Sequence, residues 1–372
     1  MQAFDSPTLL LGLMVFLIPV FGIVMALTPY LMPKRECFTV TVPDSAAGDP
    51  YLRGLKRRYL CIILLLTVAE TLAVGAITAA DPYVGATAAL VVGMLVLCAT
   101  GYGLMLRFRL RVRRYKEARG WEADGDCAMG YVGDEPFPKP VSLWWSLLYL
   151  PILAITAGIG LLGYDTMPQQ VAMQIGFDGA VSRWADKSPG IVLFPVLFVV
   201  FVAACFIFSH WMIIRSKKGS DPALPAASSW AYGMFARAQS ILLVALGLLV
   251  SLVGPLMEFT FIGVFTLEQL VVPIMVIVVV TVTASLVVTV VYGQNGSRLI
   301  ARVGGGDAMH RDDDRYWKAG IFYVNRDDAS LFLPERFGVG WTLNWGRPAA
   351  WVLVGIFVLA TAAFVVASLL LT

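Results

Sequence analysis

The chain alternates long apolar runs with short polar stretches. A helix that crosses a bilayer needs about 20 mostly apolar residues. Measured this way, the sequence holds eight such segments, at roughly 9–31, 59–80, 83–106, 142–163, 190–214, 238–257, 268–292 and 349–371. Only "AADPYVG" separates the second from the third, and Asp81-Pro82 there favours a turn over a continuous helix. Period-two alternation is confined to the polar stretches. Phe38, Val40 and Val42 alternate with Thr39 and Thr41 and suit a short strand. Ile321 and Tyr323 alternate with Phe322 and Val324, Leu331 to Leu333 can return as a strand, and Trp341, Leu343 and Trp345 alternate with Thr342 and Asn344. "NRDD" at 325–328 has turn chemistry. The pattern predicts an all-α polytopic membrane protein with about eight spans. A small β-hairpin or meander module of about 30 residues, close to the lower limit for an independent sheet, lies between helices seven and eight and packs on neighbouring loops. The domain organisation read this way is a seven-helix membrane domain over 1–292, the β-module over 293–348 and a last helix over 349–372.

Composition agrees. The chain is 58% hydrophobic and only 14% charged, against about 25% charged in an ordinary soluble domain. The net charge of +3 matters less than its placement. Every Lys and Arg except Arg183 and Lys187 falls in loops 32–58, 107–141, 215–237 and 293–348. Basic loops stay in the cytosol, so both termini are expected outside. The start, "MQAFDSPT", lacks a basic n-region, and the apolar run after it is too long for a cleavable signal, so the first helix is expected to be retained. Cys61, Cys98 and Cys205 fall in spans and Cys37 and Cys127 in cytosolic loops; neither a disulfide nor a zinc site is expected.

The basic run "RFRLRVRRYKEARGW" at 107–121 anchors topology or attracts anionic head groups; its closeness to the bilayer argues against nucleic acid. The loop 164–189 is the one long outer segment. "GFDG" marks a turn, and Asp165, Pro168, Trp184 and Lys187 read as a compact loop, either a structural cap or a ligand-binding site. The triple glycine at 304–306 reads as a flexible linker, because no phosphate-binding pattern surrounds it.

Two segments resemble known families. The outer pattern carried by Pro168, Gly176, Gly179, Trp184 and Lys187 resembles the extracytoplasmic signature of SdpI-like proteins, a bacterial membrane family named for the immunity protein against a sporulation-delaying toxin. The segment with Asp313, Asp314, Tyr316, Trp317, Gly320, Phe322, Tyr323, Asn325, Asp328, Pro334, Arg336, Gly338, Gly340, Trp341 and Asn344 resembles an uncharacterised C-terminal domain found in such proteins. The resemblance implies a bacterial cytoplasmic-membrane protein that senses or neutralises an extracellular toxin or peptide at Asp165, Pro168, Trp184 and Lys187. It also implies docking of a cytosolic regulator, such as a transcriptional repressor; we assign that to Tyr316, Trp317, Tyr323 and Trp341.

Catalytic parts are missing from the sequence. The two histidines, His210 and His310, belong to no HExxH, GxSxG or paired-Asp motif; His210, beside Trp211, reads as interfacial. No enzyme, cofactor or metal is expected. Glu70 is the one carboxylate that falls near the middle of a predicted span. Such a group is either a functional site, as in a proton- or cation-coupled transporter of a small solute, or a neutral side chain bonded to a neighbouring helix. A structural subunit of a larger membrane complex is the remaining alternative. Asp312, Asp313, Asp314, Asp327 and Asp328 are read mainly as caps and turns, with protein docking or an oxygen-ligated metal as alternatives.

Overall fold

The computed structural model describes residues 6–81, 84–123, 137–175, 181–218, 224–300, 309 and 312–371. Cys127, the turn Gly176–Gly179, the triple glycine 304–306 and His310 lie outside the described residues. The protein is a helical bundle: α1 (Ser6–Leu31), α2 (Pro50–Ala80), α3 (Val84–Arg119), α4 (Tyr149–Gly163), α5 (Pro189–Arg215), α6 (Pro225–Ser251), α7 (Val253–Phe261), α8 (Leu267–Tyr292) and α9 (Pro348–Leu371). Among the described residues, seven helical segments are long and apolar enough to cross a membrane, α6 and α7 counting as one, with Val15–Leu31 a shorter eighth. This is a multi-pass membrane protein whose helices contact lipid.

Several helix limits differ from the sequence reading. α2 starts at Pro50 because Asp49 caps it, accepting from the amides of Tyr51 at 2.8 Å and Leu52 at 3.2 Å, with Pro50 preset for the first turn. α3 carries the basic run 107–119 as helix rather than loop, since Arg and Lys are good helix formers. α6 continues into α7 past position 257. The break at Leu252 follows from Pro255, which cannot donate to Ser251 and whose ring clashes with that carbonyl.

Helices pack closely where small residues permit it. A side-chain carbon on Gly22 of α1 would sit 2.1 Å from the Thr67 hydroxyl of α2. α9 lies against α5, Phe364 stacking on Phe201 with ring centres 4.4 Å apart.

The bundle has two unlike ends. One carries a single hairpin, β3 (Gln170–Ile175) against β4 (Val181–Asp186). The other, the basic end, carries three short hairpins. The first, β1 (Glu36–Cys37) with β2 (Val40–Thr41), replaces the single strand expected from 38–42. Its turn residues Phe38 and Thr39 have φ of 46° and 64°, a conformation that costs about 1–3 kcal/mol per non-glycine residue unless its surroundings over-determine it. They do: Phe38 is fully buried, edge-on to Tyr59 and Phe108 at 5.6 and 5.2 Å.

The C-terminal module is two hairpins rather than one meander. β5 (Trp317–Lys318) pairs with β6 (Phe322–Tyr323), and β7 (Phe332–Pro334) with β8 (Trp341–Leu343). A Tyr323–Asn344 bridge joins them. The first turn falls at Ala319-Gly320, with φ of 49° and 79°, not at "NRDD", which forms a loop folded around Asn344. Asn344 is fully buried; its Oδ1 accepts from the amides of Asn325 and Gly346 at 3.0 and 3.1 Å, and its Nδ2 donates to the Asn325 carbonyl at 2.7 Å.

Candidate functional site

The hairpin end presents an exposed groove. Strands β3 and β4 hold Ala172 opposite Trp184. Val171 and Met167 face a small core with Ile191, Val192 and Phe261, and this core seats the hairpin on α5 and α7. Trp184 is 55% exposed. Beneath it a groove of about 360 Å³ runs between the hairpin and the α7–α8 connection, lined by Pro168, Ala172, Trp184, Phe261, Phe265 and Glu268. Lys187 is used locally: its Nζ donates to the carbonyls of Asp165 and Met167 at 3.3 and 3.2 Å and lies 4.8 Å from the Tyr164 ring centre. Asp165 sits exposed in the turn Tyr164–Thr166. The fold therefore brings Pro168 and Trp184 to one groove. Lys187 clamps the hairpin base, and Asp165 contributes its backbone to that clamp. Glu268, in the first turn of α8, was not singled out from the sequence; only the fold carries it to this groove.

At the basic end the aspartate run is the hub of a buried ion network. Asp314 accepts from the Thr41 amide at 3.0 Å, the Thr41 hydroxyl at 2.9 Å, Arg336 at 2.5 Å and Lys116 at 2.9 Å. Asp312 binds Lys116 at 2.6 Å, and Asp313 pairs with Arg336. Arg109 donates to the carbonyls of Thr39 at 2.6 Å and Trp317 at 2.9 Å. Burial alone would raise the Asp314 carboxyl, but Arg336 and Lys116 outweigh it and hold it well below the ordinary carboxylate range. The reading of these residues as caps and turns holds in part: Asp312 accepts from the Asp314 amide at 3.1 Å, a turn bond, but Asp313 makes no cap bond, and Asp312–Asp314 chiefly fasten the module to β2 and α3. Asp328 does the same toward α5. It accepts from Lys217 at 2.6 Å and from the Tyr323 hydroxyl at 3.0 Å. Burial raises its carboxyl, but the bonds from Lys217 and Ser330 bring it down to about 2.

The four aromatic residues assigned to docking turn mostly inward. Trp317 and Tyr323 are buried, with ring centres 5.2 Å apart. Trp341 stacks on Phe235 at 5.5 Å and donates to the Tyr232 hydroxyl at 3.3 Å. Tyr316 is half-buried against Tyr323. A partner at this end would meet Phe322, which is 42% exposed, before any of them.

Within the bundle Glu70 lies on the packed face of α2, 9% exposed, and neither oxygen has a hydrogen-bond partner among the described residues. It is not the only such group. Glu258 of α7 is fully buried, its oxygens likewise without partners, against Gly160 and Val192. The span limit at 257 hid it. His210 is buried, with Nε2 3.0 Å from the Val141 carbonyl. Among the described residues no group of His, Cys, Asp and Glu is arranged to hold a metal ion.

Residues 141–199, which contain the hairpin end, match a domain of unknown function, DUF1648. Residues 326–351, in the second half of the module, match a family of unknown function, DUF5808. No curated protein and no solved structure matches the chain.

Proposed function

We propose that the protein is a bacterial cytoplasmic-membrane immunity or signalling protein, acting by binding rather than catalysis, with the β3–β4 hairpin outside the cell and the basic end in the cytosol. The observation that carries this reading is the exposed Trp184 above the apolar groove. An exposed aromatic anchor over a preformed groove is the usual form of a peptide-binding hot spot. The exposed acids Asp165, Asp186 and Glu268 nearby favour an apolar, cationic peptide such as a membrane-active toxin. Orientation rests on the clustering of Lys and Arg at the other end. A cytosolic regulator, such as a transcriptional repressor, would meet the module around Phe322. The test is protection of a sensitive host challenged with cationic amphipathic peptide toxins. Trp184→Ala and Glu268→Gln should each lower the tolerated dose at least tenfold while the protein still inserts; unchanged protection by both overturns the reading.

One observation favours a second reading, a transporter of a small solute or ion. Glu70 and Glu258 are both carboxylates inside the bundle without a hydrogen-bond partner among the described residues, and Glu258 follows a helix break, the kind of site on which coupled transport is built. Loss of uptake into liposomes on Glu70→Gln or Glu258→Gln would favour it over immunity.

A further inference from the structure

The basic end encloses a cavity of about 260 Å³ between the β1–β2 hairpin, the end of α5, the turn after α8 and the module. That size lies just below the roughly 300–1,000 Å³ of ordinary small-molecule sites, and it suits a head group better than a larger ligand. Three polar atoms in its wall have no hydrogen-bond partner among the described residues. Gln294 is 1% exposed; its Nε2 donates to the Glu335 carbonyl, leaving Oε1 unused. Asn295, held at φ 56°, buries an unused Oδ1. Trp317 buries an unused indole N–H. Buried polar atoms left this way are costly, so the wall suits a ligand that supplies donors to the two amide oxygens.

The balance of these groups defines the ligand. The unused acceptors are two amide oxygens and the Glu335 carboxyl, which lines the same cavity with no cation paired to it among the described residues. Burial pushes that carboxyl up to about 7, the behaviour of an acid awaiting a positive partner. Lys34 and Lys218 are exposed where they line the cavity. The geometry points to a binding site for a primary-amine phosphate zwitterion of the phosphoethanolamine type: the ammonium bonds to Gln294 Oε1, Asn295 Oδ1 and Glu335, and the phosphate meets Lys34 and Lys218. A primary ammonium carries three N–H donors for three acceptors. A quaternary ammonium carries none, so the site discriminates between them. The group is presented either free in the cytosol or as a lipid head group.

Calorimetry on the full-length, delipidated protein tests this. Free phosphoethanolamine should bind at least tenfold tighter than phosphocholine. Glu335→Gln should weaken the amine at least tenfold, and the exposed pair Lys34→Ala with Lys218→Ala should do likewise if Glu335→Gln fails to fold. If free phosphoethanolamine does not bind, the lipid arm decides. Native mass spectrometry from mixed nanodiscs should then show one retained phosphatidylethanolamine in preference to phosphatidylcholine, lost in the same variants. Equal treatment of primary and quaternary amines in both arms, or indifference to both sets of variants, overturns the proposal.

Discussion

Thr39 and Gly320 meet tip to tip: a side-chain carbon on Gly320 would lie 2.5 Å from the Thr39 hydroxyl oxygen. Two hairpin turns from opposite ends of the chain thus share one contact, and both residues sit at positive φ, 64° and 79°. Gly320→Ala adds the missing carbon into that contact and a backbone penalty as well. It should destabilise the protein by about 2 kcal/mol or more, read as a lower Tm in detergent.

Arg336 joins Asp313, Asp314 and the Thr39 carbonyl, and its guanidinium lies 5.1 Å from the Trp317 ring centre. Removing one partner of such a buried network leaves charge uncompensated, so Asp314→Ala should cost about 3 kcal/mol. Arg336→Lys should also fail to restore wild-type stability, because a point charge cannot serve several acceptors at once. Chemical unfolding of both variants checks this.

Acid should loosen the module. Asp314 and Asp328 are both lowered in the folded protein from an ordinary 3.8. Their stabilisation is therefore complete above about pH 4 and lost as pH falls, for Asp328 through about 2. Asp328→Asn should flatten the fall in Tm over that window. Glu335 has the opposite sign. Raised from 4.5 to about 7, it contributes stability below pH 4.5 that disappears as pH rises through 7. The charged groups around the same cavity are Lys34, Arg35, Glu36, Asp44, Asp313, Lys217, Lys218 and Arg336. Glu335→Gln should remove the decline in Tm between pH 5 and 8.

Glu258 is buried with no hydrogen-bond partner among the described residues, which makes it a burden on the bundle. Glu258→Met, close in volume and apolar, should raise stability by about 1–3 kcal/mol. Gly160→Ala should lower it, because the added carbon would lie 2.5 Å from Val192 and 2.7 Å from the Glu258 carboxyl. Heating curves of the two variants, moving in opposite directions, are the expected result.

The helices were legible because a bilayer demands contiguous apolar residues, and a run such as 268–292 has no other use. The module was legible as a place, since β-branched and aromatic residues alternate there among turn formers. Its ion network was not: Asp314 and Thr41 are 273 positions apart, and no local pattern pairs them. The Phe38-Thr39 turn was misread as strand because it contains neither glycine nor asparagine, the residues that usually announce positive φ. Glu258 was missed for a simpler reason: hydropathy falls at a carboxylate, so the predicted span stopped one residue short of it. At the hairpin end, Trp184 stands out in the sequence as a candidate contact, but Glu268 reaches the same groove only through folding.

The Thr39 carbonyl takes hydrogen bonds from Arg109 and from Arg336, which lies 297 positions later. During synthesis the strained Phe38-Thr39 turn must therefore wait, half-supported, until nearly the whole chain has left the ribosome. A chain truncated before Arg336 would keep most of its helices yet lack the second donor to the Thr39 carbonyl.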